Sequence, residues 1–262
     1  MTDLNPQARQ MADESMVRTL AAQTEAIWPQ ESQILERYGL PADIRILDAG
    51  CGTGEASSRL AAMFPNAEIL GVDILDSSLE IARSRYPSLA PRLRFENRSI
   101  YELGLPDDTL DLTVNRHVLH SIPYPERVLA ELVRVTRPGG RLHLIPEDYG
   151  MIHFPRHGLD TRRFWLDGPA QFGDAMGTDL FVGRHVYGML LDLGITDITI
   201  DYVVVDTLRV PRETFAAIFE AWRDGYVDPI AEHTSFTADE ARATFDQMIG
   251  DLRDPKRYAV WM

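Results

Sequence analysis

One short stretch constrains this chain more than any other. Ile46-Leu-Asp-Ala-Gly-Cys-Gly-Thr-Gly-Glu55 runs from an apolar, strand-like segment straight into a helical one, with glycines at 50, 52 and 54. Glycine tolerates the backbone angles of a sharp turn and lets a ligand come close to the main chain. The spacing narrows the choice of ligand. A dinucleotide-binding turn has the pattern G-x-G-x-x-G, with the pyrophosphate on the helix N-terminus. Here the third glycine comes one residue early and Glu55 occupies the remaining slot, where its charge would repel a pyrophosphate. The turn suits a ligand without phosphate.

Around this turn, short apolar runs alternate with helical stretches. Strands are predicted at 44–48, 68–73, 93–97, 110–115 and 141–145. Helices are predicted at 56–63, at 77–85 behind a Ser77-x-x-Glu80 capping box, and at 125–134. Strands joined by helical crossovers form a parallel sheet covered on both faces. Upstream, residues 8–38 read as amphipathic helix. Proline disfavours a helix interior, so a break at Trp28-Pro29 and two helices are expected. Downstream, 146–178 reads as a long loop or insertion, 180–193 as a helix, 197–205 as a strand, 211–223 and 237–251 as helices, and 257–261 as a last strand. No compositional break divides the chain, so 1–262 is read as one domain.

The Asp48-x-Gly50-x-Gly52-x-Gly54 run resembles the first motif of the class I S-adenosylmethionine-dependent methyltransferases of the small-molecule type. The resemblance covers roughly residues 44–146, including Pro106-Asp-Asp-Thr-Leu-Asp111 and Thr136-Arg-Pro-Gly-Gly140, which resemble that family's turns before buried strands. It implies a Rossmann-like α/β fold: a seven-stranded, mostly parallel sheet with helices on both faces, closed by an antiparallel strand at the chain's end. It also implies lid helices over 1–40, a cofactor-binding core over 44–145, and substrate-side insertions over 146–178 and 206–256. The expected cofactor is S-adenosylmethionine, cradled by Asp48, Gly50, Cys51, Gly52 and Gly54. Asp73, closing the second strand, would accept hydrogen bonds from the ribose hydroxyls, and Ile74 would pack on the adenine. The family often places an aspartate after the third strand. Ser99 stands there instead, and is expected to meet the adenine amino group, with the Ile100 N–H on the ring.

Ligands of open α/β sheets lie beyond the carboxyl ends of the strands. The fourth strand ends in Asn115-Arg-His-Val-Leu-His120, which crowds polar groups at the expected methyl-donor end. Methyl transfer from a sulfonium needs positioning and control of the acceptor's proton, and a histidine titrates in the right range. His120 is therefore the expected base and Arg116 its helper on an acceptor oxygen. Asn115 and His117 would line the cofactor's methionine end. The Arg-His-x-x-His run resembles some aromatic-ring C-methyltransferases. Trp28, Asp148, Tyr149 and His153 are candidate substrate contacts. No metal site is expected, since neither His117 and His120 nor His153 and His157 have an acid or cysteine in a recognisable ligand pattern. The glycine-rich turn accounts for Cys51 without a nucleophilic role.

Composition narrows the partners. Lys plus Arg is 26 against 40 Asp plus Glu, a net charge of -14. That argues against a broad nucleic-acid surface and against an anionic membrane. The single cysteine allows no intramolecular disulfide, and no signal-like start or spanning apolar run is present, so a cytoplasmic protein is expected. A homodimer is compatible with the reading. The expected function is methyl transfer to a small aromatic or apolar metabolite, of the kind met in secondary metabolism, at carbon, oxygen or nitrogen. Two rivals stand beside it: a catalytically silent S-adenosylmethionine-binding regulatory protein and a nicotinamide-dependent oxidoreductase.

Overall fold

The computed structural model describes residues 5–262, the side chain of Arg9 excepted; residues 1–4 of the expected lid lie outside the described residues. The chain starts with α1 (Ala8–Met11) and α2 (Glu14–Arg37). The core follows as β1 (Arg45–Ala49), α3 (Glu55–Met63), β2 (Glu68–Asp73), α4 (Asp76–Arg85), β3 (Leu93–Asn97), β4 (Leu110–Arg116), α5 (Pro125–Val135) and β5 (Thr136–Ile145). Then come β6 (Ile152–His153), α6 (Thr161–Asp167), α7 (Pro169–Met176), α8 (Gly183–Asp192), β7 (Val205–Asp206), α9 (Arg212–His233), α10 (Ala238–Arg253) and β8 (Val260–Trp261).

The main sheet has five strands in the order β3-β2-β1-β4-β5, all parallel. Successive residues of a strand face opposite sides, and β1 shows it. Ile46 joins Leu35, Leu60, Ile69 and Leu79 on one face, whereas Leu47 joins Val72, Leu129, Leu132 and Leu190 on the other. A third core, rich in aromatic rings, lies among α2, α6, α9 and α10.

Four expectations are corrected. The main sheet has five strands, not seven, because β8 pairs antiparallel with β6 and β7 in a separate small sheet. Within 197–205 only Val205 enters a strand; the backbone of Val204 bonds to the Gln30 side chain, whose Oε1 accepts its N–H and whose Nε2 donates to its carbonyl. α2 runs unbroken through Pro29. An interior proline costs a helix about 3 kcal/mol, which the buried Ala26, Ile27, Glu31 and Leu35 on its inward face offset. At the start of α4, Ser77 makes no cap; Asp73 Oδ1 accepts the Leu75 N–H just before that helix.

Candidate active site

The glycine-rich turn is built as its spacing demands. Gly50 has φ +80° and Gly52 φ +51°, left-handed values that side chains resist. A Cβ on Gly50 would lie 2.5 Å from Val118 Cγ2, and one on Gly52 2.7 Å from Leu20 Cδ1 of α2. Asp73 stands beside the turn with Oδ2 accepting the Gly52 N–H at 2.9 Å. Burial raises the pKa of its carboxyl, and the backbone N–H groups of Leu75 and Gly52 work against that rise. Asp48 sits beneath the turn, fully buried, with Oδ2 accepting from Ser57 Oγ at 2.5 Å. Burial pushes its pKa up to about 6, although the Ser57 hydroxyl and Arg116 pull the other way. Ile74 is exposed, while Ile100 is buried and Ser99 half-buried with Oγ accepting the Tyr101 N–H. Cys51 is buried and its thiol pKa is pushed well up by burial and by Asp48, which leaves it inert as a nucleophile.

Beyond the end of β4, two histidines meet one carboxylate. His120 Nδ1 lies 2.7 Å from Glu147 Oε2, and His117 Nδ1 lies 3.1 Å from Glu147 Oε1. Both are ion-pair distances off the hydrogen-bond line. Burial would raise the Glu147 carboxyl, but the imidazoles of His120 and His117 hold it well below the ordinary carboxylate range. The Tyr149 hydroxyl donates to Oε2 at 3.3 Å. His117 has φ +57°, a strained value for a non-glycine residue, and its ring is backed by Trp261 at 6.1 Å.

His117, His120 and Glu147 line a pocket that is partly open to solvent. Tyr149, Trp165, Phe172, Trp222, Tyr226 and Phe245 form much of its wall. Gln7, Met11, Met16 and Leu20, from the N-terminal segment, line it as well. The Gln7 amide donates to Thr178 Oγ1 at 3.2 Å and so ties the start of the chain to the far wall.

Arg116 is held elsewhere. Its Nε lies 2.8 Å from Glu31 Oε1 of α2, with both side chains buried. His143 Nε2 contacts the same oxygen at 3.1 Å, and His143 Nδ1 meets the Tyr38 hydroxyl at 2.8 Å. Burial disfavours the Glu31 charge, yet Arg116 and His143 outweigh it and keep its pKa down at about 2. Arg116 Nη2 is buried without a partner. Asn115 donates to the Ala49 carbonyl at 2.8 Å and braces the end of β1.

Of the expected substrate contacts, only Tyr149 reaches the cavity. Trp28 packs against the Leu35 and Leu60 face of the sheet, under the Arg59 guanidinium at 5.8 Å. Asp148 is engaged by Arg184, with contacts of 2.6 and 2.7 Å. His153 is exposed and lines a separate surface groove with Lys256 and Tyr258. Arg116, paired with Glu31, does not line the cavity either. Among the described residues, no group of three or more His, Cys, Asp or Glu is arranged to hold a metal ion.

Residues 47–144, the segment carrying the turn and the ends of β2 and β4, match the family described as Methyltransferase domain. That segment carries a methyltransferase domain, in keeping with the resemblance to the class I S-adenosylmethionine-dependent methyltransferases. A trans-aconitate 2-methyltransferase of Deinococcus radiodurans is 35% identical over 59% of this chain and 59% of its own length. One of Methylobacterium radiotolerans is 29% identical over 88% of this chain and 79% of its own. The chain thus spans under two thirds of the first relative's length. The solved phosphoethanolamine N-methyltransferase 2 of Haemonchus contortus shares the fold, with TM-score 0.55 at 18% identity over 90% of this chain and 52% of that one. Two carboxylates of the site, Glu147 and Glu31, were not expected from sequence. Glu147 stood in view just past β5, but Glu31 is brought in by a helix more than eighty residues from Arg116, and no local pattern marks it.

Proposed function

We propose that this chain transfers a methyl group from S-adenosylmethionine to a small apolar or aromatic acceptor, with His120 taking the acceptor's proton. The observation that carries this reading is the buried Glu147 carboxylate 2.7 Å from His120 Nδ1 at the wall of the aromatic cavity. It leaves Nε2 of His120 as the nitrogen for an acceptor. When bound, the cofactor supplies an electrophilic methyl on a positively charged sulfur.

Gly50 and Gly52 keep side chains off the turn, and Asp73 offers carboxylate acceptors for ribose hydroxyls; Ile74, Ser99 and Ile100 are assigned to the adenine. These residues fit a ligand with a sugar and a base and no phosphate. The acceptor would sit against Tyr149 and Trp222, its nucleophilic atom near His120. As that atom gains the methyl, the carbon–sulfur bond breaks, its electron pair stays on sulfur, and the acceptor's proton passes to Nε2 of His120. Glu147 stabilises the imidazolium so formed, as an acid on the far nitrogen of a catalytic histidine does. The segment over residues 5–37 is assigned as the cavity's cover, since Gln7, Met11 and Leu20 line it.

Work in the cytoplasm, a place in secondary metabolism and a homodimer are parts of the same proposal; among the described residues, no helix is long and apolar enough to cross a membrane. The test is a thermal-shift panel followed by transfer of a labelled methyl into a metabolite extract, read by mass spectrometry. S-adenosylmethionine and S-adenosylhomocysteine should raise Tm, and NAD should not. Binding without transfer to any acceptor would favour the silent regulatory protein, and a shift with NAD alone the oxidoreductase.

A further inference from the structure

The charges around the cavity bear on which acceptor it takes. Among the described residues, no lysine or arginine lines it. Its one carboxylate, Glu147, is buried between two imidazoles. The buried Arg116 lies outside the lining, and its charge is already engaged by Glu31. The rest of the wall is apolar or neutral, including Thr19 and Gln23 from α2.

We infer that Glu147 and an aromatic wall free of lysine and arginine among the described residues make this a site for acceptors without an anionic group, so that it rejects carboxylates. This rests on the methyltransferase reading above. An acceptor carboxylate would leave water without a guanidinium or ammonium to replace its hydration. It would also meet Glu147 at short range in a medium of low polarity, where like charges repel strongly. A neutral ring meets neither penalty, and an ammonium group gains from both the carboxylate and the aromatic faces. Trans-aconitate carries three carboxylates, so the acceptor named for the similar chains does not suit this cavity.

The test is calorimetry on the protein saturated with S-adenosylhomocysteine, a readout that needs no turnover. The probes are 4-ethylphenol, tyramine, 3-(4-hydroxyphenyl)propionate and trans-aconitate. The first three share one body and differ in charge. The neutral or cationic member should bind at least about tenfold tighter than the propionate, and trans-aconitate should show no micromolar binding. Glu147→Gln should narrow the gap between neutral and anionic probes. Met11→Arg, which adds a cation at a half-buried wall position, should improve binding of the propionate. Equal or tighter binding of the propionate, or micromolar binding of trans-aconitate, would overturn the inference. Failure of S-adenosylhomocysteine itself to bind would instead strike the methyltransferase reading.

Discussion

Glu147 Oε2 lies 2.7 Å from His120 Nδ1, and the two residues come from different strand ends: His120 follows β4 and Glu147 follows β5. Parallel neighbours in the sheet end on the same side, so the register of β4 on β5 delivers both groups to one wall. The pair explains why a buried carboxylate is tolerated beside so many rings.

It also yields the first prediction. His120→Asn keeps a polar side chain but cannot carry a proton, and should lower kcat by about 100-fold or more. Cofactor affinity should hardly change, because the lost interaction belongs to the transition state. Glu147→Gln should lower kcat by a smaller factor through the same histidine. Stopped-assay kinetics at saturating acceptor check both. Near-normal turnover in His120→Asn would reduce this residue to part of the wall.

Asp73 carries the second prediction. Its two oxygens already accept the N–H groups of Gly52 and Leu75, so the side chain is fixed before any ligand arrives. Charge-assisted hydrogen bonds to ribose hydroxyls are worth roughly 1.5–3 kcal/mol each. Asp73→Ala should weaken S-adenosylmethionine binding about tenfold or more by calorimetry. Asp73→Asn keeps one acceptor for the turn and should unfold closer to wild type than Asp73→Ala does, while still losing affinity. Unchanged affinity in both variants would remove Asp73 from the cofactor site.

The third prediction tests the buried Arg116–Glu31 pair. Removing one member of such a pair leaves an uncompensated charge, at a cost of roughly 3–5 kcal/mol. Glu31→Gln should therefore lower Tm by about 6–20 °C in a chain of this size. Replacing both residues, as Glu31→Leu with Arg116→Met, should recover much of the loss. The sign with pH follows from the depressed pKa. Glu31's contribution is complete above about pH 4.5, where the unfolded carboxyl is ionised. It fades as the pH falls toward about 2, its folded pKa. A Glu31→Gln protein as stable as wild type at neutral pH would mean the pair contributes nothing net.

How much of this was legible beforehand depends on the range of the interaction. The turn, β2 and β3 followed from local signals: glycine spacing and apolar runs of strand length. The end of β4 was correctly marked as a polar cluster because its residues are contiguous. What escaped were long-range pairings. Pro29 reads locally as a helix break, yet burial on both sides of it overrides the local cost. The last strand, 257–261, looked like a seventh sheet member, but Val260 and Trp261 pair with Ile152 and His153 instead. Arg116 looked like an acceptor contact because nothing near it in sequence shows that Glu31 claims it. Trp28 and Asp148 looked available for the same reason, until packing on Leu35's face and pairing with Arg184 used them.

The last prediction concerns Asp48, whose carboxyl is buried beneath the turn with its pKa pushed up to about 6, above the ordinary 3.8. A carboxyl with a raised folded-state pKa binds its proton more tightly folded than unfolded, so its contribution to stability is full below about pH 4 and is lost as pH rises through about 6. At pH 7.5 the ligand-free protein therefore carries an ionised buried group at a net cost of roughly 2–3 kcal/mol. Asp48→Asn mimics the protonated form and can still accept from Ser57, so it should raise Tm at pH 7.5 by several degrees. The gap between variant and wild type should close as the pH is lowered to about 4. Taking the difference between the two proteins removes the titration of the histidines and of Glu31, which both share. Differential scanning calorimetry between pH 4 and 8 measures it. A variant that is less stable than wild type at every pH would show that the turn needs the Asp48 charge, held by Ser57 and Arg116, more than burial opposes it.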